Sequence, residues 1–553
     1  MQTRPDARWY PQLWLSLALL IAGNAHAQTS SVADRLRQRI EQLLFTDQVQ
    51  IEDAAIQSRK WLPEFYARRD FELAWTPEKT AEWLEWLEHI DSEGLRPEDY
   101  FLDQLRELRE ADANDVEAAV NFDLLLTASL IRAGYDLRFG KADPTSLEPS
   151  WNLARELAPG ADAVDLMVAA LAAPSLARFL AERLPRPRLY DQLKEALRQH
   201  RDIAARGGWP TVPTGSTLRP LDVDERVSAL RGRLAITGDY PAPPEQSASA
   251  PLADTFDPEL EAAVRRFQER HGLAADGIVG NATLAALNVP VETRIDQIRL
   301  NLERGRWVFG NLGDRFLVVN IASFQVFLVE NDRPVWTART QVGRFYRQTP
   351  IFRGELEYLV LNPTWTIPPT ILREDVLPRA QADPSYLQQL NVDVLTPEGR
   401  AVDPGALDWS ALSAANFPYM LRQRPGRENA LGRVKFIFPN EHFVFLHDTP
   451  NARLFEQPER TFSSGCIRVE DAIGLAERVL ADPSQWSRPE LERTIATNQT
   501  RTVRLKEPLP VLVLYWTASV DAQGRVRFLP DIYRRDARVL AALDAPPAWA
   551  GPV

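Results

Sequence analysis

A single cysteine, Cys466, stands in a chain that also holds six histidines. The thiolate is the nucleophilic form of cysteine, and it needs a base within reach to take the thiol proton. The chain around it reads Phe462-Ser463-Ser464-Gly465-Cys466-Ile467-Arg468-Val469-Glu470-Asp471. Val469, Ala472, Ile473, Ala476, Val479 and Leu480 keep one helical face, so a helix is expected to begin just beyond the thiol. The positive end of its dipole would lower the thiol pKa. Ser463, Ser464 and Gly465 predict a tight turn, in which the missing side chain at Gly465 leaves backbone N–H groups open to an oxyanion.

The base must come from few candidates. His89 and His200 fall in a helical region, His271 in a small helical unit, and His26 near the N-terminus, which leaves His442 and His447. These two are five apart on one expected strand, so their side chains point to opposite faces and at most one serves Cys466. His447 ends that strand before Asp448-Thr449-Pro450, and the eighteen residues that follow it return the chain to the thiol. His442 belongs to the Pro439-Asn440-Glu441 turn and is expected to be exposed. Taken singly, Cys466 reads as a small buried hydrophobe and His447 as a core-edge histidine; their pairing favours catalysis. One Cys and one usable His fall short of the three or four ligands of zinc, so no metal or other cofactor is expected. Arg468 is harder to place, because a cation near a helix N-terminus costs about 0.3–1 kcal/mol. Binding a substrate carboxylate would account for it, and a surface ion pair with Glu470 or Asp471 is the plainer alternative.

Those residues need a scaffold, and 553 residues exceed what one hydrophobic core serves, so several domains are expected. With 45% apolar and 25% charged residues the composition is globular. A net charge of −12 argues against nucleic acid as a partner. Arg4 and Arg8, the apolar run Leu13 to Ala22, and Ala25-His26-Ala27 before Gln28 read as a signal peptide over 1–27. The run is too short to span a membrane, so no stable membrane span is expected after cleavage, and the lone thiol would sit unpaired in an oxidising compartment, the periplasm or exterior.

Residues 28–221 predict helices, with Val32 to Leu44, Ala81 to Ile90, Val116 to Ile131 and Leu189 to Arg198 rich in Ala, Leu, Glu and Arg. Trp61, Trp75, Trp83 and Trp86 read as core rather than a carbohydrate platform. In 222–290, helical patterns at Val227, Leu230, Leu234 and at Leu260, Ala263, Val264, Phe267 flank a Pro/Ser/Ala stretch from Pro241 to Ala253, expected to be a flexible insert. From Phe316 the pattern turns to strands: Phe316 to Ile321, Phe324 to Val329, Val335 to Val342, Leu356 to Leu361, Val434 to Phe438 and Phe443 to His447. Val511 to Val520 and Arg525 to Leu529 predict a hairpin that returns to that sheet. The proline-punctuated stretch 366–432 breaks the strand rhythm and suits a lid over a site.

Two resemblances follow from these residues. The helix ending in Phe267-Gln268, then Gly272-Leu273, Asp276-Gly277-Ile278-Val279-Gly280, Thr283 and Leu287 resembles the three-helix peptidoglycan-binding module. His447-Asp448-Thr449-Pro450 followed by Ser463-Ser464-Gly465-Cys466-Ile467-Arg468-Val469 closely resembles the L,D-transpeptidase signature, His-x-x-Thr then Ser-x-Gly-Cys-x-Arg. Val342-Gly343-Arg344 with Thr349-Pro350, and Asn362-Pro363-Thr364-Trp365-Thr366-Ile367-Pro368-Pro369, support it. The domain order resembles the large Gram-negative members of that family.

The resemblance implies an α+β multidomain protein with an all-α scaffold (28–221), a three-helix module (222–290) and a mixed-sheet catalytic domain (291–553) with its lid. It implies that Cys466 attacks the carbonyl between the third residue of a tetrapeptide stem and the terminal D-alanine. His447 would act as proton donor and acceptor, the Gly465 and Cys466 amides would face the oxyanion, and the Asp448 carbonyl would orient the imidazole. Substrate contacts are expected from Arg468, Ser464, Trp365 and Phe445. An acceptor stem would resolve the thioester to a 3→3 cross-link in the periplasm, so peptidoglycan stem peptides are the expected partners. The rivals are an L,D-carboxypeptidase or cysteine hydrolase that uses water, and a wall-binding scaffold with a vestigial thiol.

Overall fold

The computed structural model describes residues 31–111, 115–184, 187–241, 254–310, 312–521 and 523–547. The expected signal peptide, residues 242–253 of the expected flexible insert, and Ala522 in the expected hairpin turn lie outside the described residues.

The N-terminal region is built of helices, among them α1 (Val32–Thr46), α2 (Pro77–Glu88), α3 (Val116–Phe139) and α4 (Arg188–Ala205). Ser31, Thr76 and Asp115 cap the first three, each side chain accepting a first-turn amide that would otherwise lack a partner. α3 is buried over most of its length and packs against α1 among others. Trp83 is fully buried, donates to Ser129 Oγ at 2.7 Å and stacks on Trp86 with ring centroids 4.8 Å apart. These tryptophans are core, as their helical spacing predicts.

The next unit contains α5 (Arg226–Ile236), α6 (Pro258–Arg270) and α7 (Asn281–Leu287) around Leu230, Leu234, Leu260, Val264, Phe267 and Leu287. Its signature residues form one internal network. The Gln268 amide donates to Asp276 Oδ1, the Ile278 carbonyl and Thr283 Oγ1, and its Oε1 accepts from the Gly277 amide at 2.9 Å. Gly277 has φ +76°, a conformation that side chains disfavour. α8 (Val291–Phe309) then runs back against α4 and α3 and leads into the sheet domain.

Nine strands form the main sheet: β1 (Arg315–Asn320), β2 (Gln325–Glu330), β3 (Arg333–Gly343), β4 (Phe352–Leu361), β5 (Val434–Ile437), β6 (Leu446–His447), β7 (Thr461–Ser463), β8 (Ile467–Val469) and β9 (Arg501–Leu514). Their order is β7-β3-β8-β6-β5-β4-β9-β1-β2, and a further β2–β3 pairing closes the sheet on itself. The pairs β6–β8, β7–β3 and β9–β1 are parallel and the rest antiparallel, so the sheet is mixed. The core crosses the expected domain boundaries. Tyr190 and Leu197 of α4 belong to the sheet domain's apolar cluster, while Leu543 of the last helix, α10 (Asp536–Asp544), packs into the scaffold's.

Two expectations need correction. Val511–Leu514 is the end of β9 inside the main sheet, and the hairpin is a separate pair, Ala518–Val520 with Val526–Phe528. Buried side chains divert the chain between them: Asn320 Oδ1 accepts from the Trp516 amide and Asn301 Oδ1 from the Thr517 amide, both at 2.9 Å. Nor does a helix begin at the thiol. β8 comes first, and the next helix, α9 (Ala472–Leu480), starts after Asp471, whose side chain accepts from the Gly474 amide.

The stretch after β4 folds as a subdomain with its own four-stranded sheet, ordered Trp365–Thr366, Met420–Gln423, Val392–Leu395 and Ala401–Val402. Its core of Ile367, Val376, Leu377, Ala380, Leu387, Val394, Trp409 and Leu421 is separate from that of the main sheet. Asn429 closes its base by donating to the Pro363 carbonyl at 3.1 Å.

Candidate active site

The short parallel pair β6–β8 sets Leu446 beside Ile467 and His447 beside Arg468. Leu446 and Ile467 are buried in the main core. Because side chains alternate along a strand, His447 and Arg468 share the other face, and Phe445 and Cys466 fall on it too. The Ile467 amide donates to the Phe445 carbonyl at 3.1 Å, which sets Cys466 beside Phe445 and one pleat along from His447. The partly exposed thiol donates to the Phe443 carbonyl at 3.7 Å.

The turn before the thiol is held from several sides. Ser463 Oγ donates to the Cys466 carbonyl at 2.5 Å and accepts from the Gly465 amide at 3.1 Å. Buried Thr349 donates to the Gly465 carbonyl at 2.8 Å and accepts from the Gly343 amide at 2.9 Å. Gly465 has φ +115°, so glycine is required there for backbone conformation. Its amide is engaged by Ser463, which corrects the expectation that it points to an oxyanion. The Cys466 amide has no hydrogen-bond partner among the described residues.

His447 is buried, and its Nδ1 lies 2.5 Å from the Asp448 carbonyl oxygen. A carbonyl only accepts, so Nδ1 carries the proton and Nε2 is left with a free lone pair. Burial, then the Arg468 charge, pushes the imidazole pKa down to about 3, against the opposing pull of the Asp448 carbonyl. The Asp448 carboxylate is turned away to the Arg433 amide and guanidinium, at 2.9 and 3.3 Å. Burial raises the pKa of Cys466, offset in part by the Phe445 amide, Lys435 and Arg468. The expected dipole-lowered thiol is thus corrected: with no helix at the thiol, desolvation wins, and the free site holds a neutral thiol beside a neutral imidazole.

Arg468 donates to Gln341 Oε1 at 2.9 Å, and its buried Nε has no partner. Neither nearby carboxylate pairs with it: Glu470 pairs with Arg339, and Asp471 lies 3.4 Å from Arg488. Exposed Ser464 accepts from Arg347 at 2.8 Å; Arg347 also pairs with Glu374 and, at 3.5 Å, with Asp375 of the inserted subdomain. Phe445 lies 5.7 Å from the His447 ring, centroid to centroid. Trp365 packs against the insert's own core rather than on the Cys466 face. His442 is half-buried, edge-on to Phe352 at 5.0 Å.

The fold brings together Cys466, His447, Asp448, Gly465, Arg468, Ser464 and Phe445. It adds Lys435, Arg347 and Gln341, which sequence reasoning missed, and gives Thr349, named there only as part of a supporting motif, a place under the Gly465 turn. The visible signal for Lys435 was a lone charge in the apolar run Val434 to Phe438; for Arg347 nothing local marked it. No cluster of His, Cys, Asp and Glu suited to a metal occurs among the described residues, and no described helix is long and apolar enough to cross a membrane.

Three family models match in chain order: a "Scaffold domain" over 60–197, a "Putative peptidoglycan binding domain" over 223–287 and an "L,D-transpeptidase catalytic domain" over 314–503. A Haemophilus influenzae protein described as "Putative L,D-transpeptidase" is 35% identical over 223 residues, covering 40% of this chain and 45% of that protein. The match thus spans less than half of the relative's length. A solved structure, the fused Zn-dependent amidase/peptidase/peptidoglycan-binding domain-containing protein of Clostridium acetobutylicum, matches at 12% identity over 54% of this chain and all of that chain. Its TM-score of 0.15 carries no argument. The region that matches the L,D-transpeptidase catalytic domain, residues 314–503, is the one whose sheet carries His447 and sets Cys466 beside it.

Proposed function

We propose that the protein is a cell-wall L,D-transpeptidase that acts in the periplasm on peptidoglycan stems. The observation that carries this reading is the register of β6 and β8, which sets the thiol, the imidazole and a guanidinium without a carboxylate partner among the described residues on one face. His447 Nε2 takes the thiol proton as Cys466 Sγ attacks the carbonyl joining the third stem residue, such as meso-diaminopimelate, to the terminal D-alanine. The oxyanion forms at the Cys466 amide, which has no other partner among the described residues. The C–N bond then breaks, the proton passes from imidazolium to the departing amine, and a thioester remains. The side-chain amine of a neighbouring stem attacks it, returning the thiol and forming a 3→3 cross-link. Arg468 holds a stem carboxylate, and the subdomain built on Trp365–Gln423 acts as a lid over the Cys466 turn through Arg347.

The test is mass spectrometry of the protein incubated with a disaccharide-tetrapeptide, wild type beside Cys466→Ala. Loss of D-alanine with a 3→3 dimer in wild type alone is expected. Loss of D-alanine with free tripeptide would make the protein an L,D-carboxypeptidase, and no change in either would return it to a wall-binding scaffold.

A further inference from the structure

β5 carries one charge in an apolar run, Lys435, between buried Val434 and Phe436. In register it faces His447 of β6 on one side and Val360 of β4 on the other, so its side chain belongs to the face that bears the thiol and the imidazole. Nζ stands 3.8 Å from the centroid of the Phe445 ring. Phe445 is the neighbour of Cys466, and its amide supports the sulfur. Lys435 is half-buried and makes no ion pair among the described residues; Cys466, when ionised, is the group whose charge bears on it.

A half-buried ammonium without a carboxylate is costly, and an aromatic face compensates only part of that cost. Packing against Phe445 alone would be served by a neutral side chain of similar length. Arg468, on the other side of His447, shows the same condition: a mostly buried cation with no carboxylate. The row Gln341, Arg468, His447, Lys435 thus holds two cations and no anion. When one terminal residue is released, its carboxylate is three bonds from the attacked carbon, so a substrate anion must come close to the thiol.

We propose that Lys435 is a specificity-determining residue that binds a free carboxylate of the substrate next to the carbon attacked by Cys466. In the free protein the Phe445 ring holds the ammonium in place. The proposal rests on Cys466 being the nucleophile, and adds to Arg468 a second carboxylate contact.

The test uses two alkylating reagents on the full chain. Both form the Cys466 Sγ–CH2 bond with loss of iodide, but iodoacetate carries a carboxylate beside the attacked carbon and iodoacetamide a neutral amide. The ratio of their rate constants cancels changes in thiolate fraction or exposure. Lys435→Met should lower the iodoacetate-to-iodoacetamide ratio about tenfold, the scale of one charge contact in a partly buried site. Lys435→Arg should keep most of the wild-type ratio. An unchanged ratio in Lys435→Met overturns the proposal, and so does an equal fall in both variants, which would mean shape rather than charge. Amide hydrogen exchange in β5 and β6, compared with wild type, reports that each variant retains its folded site. The readout is independent of cross-linking: a fall in ratio without D-alanine release would leave the carboxylate site standing while the transpeptidase reading fails.

Discussion

His447 and Arg468 stand opposite each other across two strands of only two and three residues, so the base and the cation that suppresses its protonation are fixed by one register. A slip of one residue would turn both away from the thiol's face. Burial, joined at His447 by the Arg468 charge, keeps the imidazole neutral, and burial outweighs the opposing pull of Arg468 on the Cys466 thiol, so the resting pair is neutral rather than thiolate–imidazolium.

The acid limb of D-alanine release, measured as kcat/KM, should lie well below pH 6.5. His447 must be neutral to accept the thiol proton, and its pKa is held at about 3, so activity is lost only as pH falls toward that value. No inflection is expected between pH 5.5 and 7.5. A clear inflection near 6.5 would mean that the imidazole is far less buried than the structure shows.

Removing the base should cost more than removing its neighbour's charge. His447→Ala is expected to lower acyl transfer about 10²- to 10⁴-fold, the range of general-base catalysis. Arg433→Ala removes a guanidinium whose one polar partner among the described residues is the Asp448 side chain, while the Asp448 carbonyl stays with Nδ1. Its effect on kcat should be under about threefold, as for a surface pair.

Arg347 joins Ser464, two residues from the thiol, to Glu374 and Asp375 of the inserted subdomain. Arg347→Gln should release that tie and speed amide hydrogen exchange in residues 369–376. Glu374→Gln should do so less, because Asp375 still faces Arg347. Unaltered exchange in Arg347→Gln would show that the insert is held from its base alone, where Asn429 binds Pro363.

Asp239 and Arg270 form a buried pair, with side chains 0% and 6% exposed, that locks α5 and α6 of the wall-binding module, and Arg270 also donates to the Val526 carbonyl of the C-terminal hairpin. Asp239→Asn leaves that guanidinium buried without its charge partner, expected to cost about 3–5 kcal/mol. The exposed pair Arg178–Glu182 should change stability by under about 0.5 kcal/mol on Glu182→Gln. Hydrogen exchange in α6 measures the first effect, and exchange in the helix Leu176–Arg183 measures the second.

Much of this was written in local pattern. The Val/Phe-rich run ending at His447, the period-3.6 run after Val469, and the Gly-Cys turn marked a strand, a helix and a nucleophile between them, because each depends on neighbours in the chain, although the strand proper is only Leu446–His447. The Gln268, Asp276, Gly277 and Thr283 set was equally legible, since its hydrogen bonds close within sixteen residues. What the chain alone determined is therefore which residues could react and the kind of elements that carry them. Only the tertiary structure decided their state. The thiol is raised in pKa rather than lowered, the Gly465 amide is taken by Ser463, Lys435 joins the site from a strand that pairs with His447, and Arg347 reaches it from the turn after β3. Each of these depends on burial or on strand pairs distant in sequence, and a local pattern carries no information about the dielectric around a group or about what lies across a sheet.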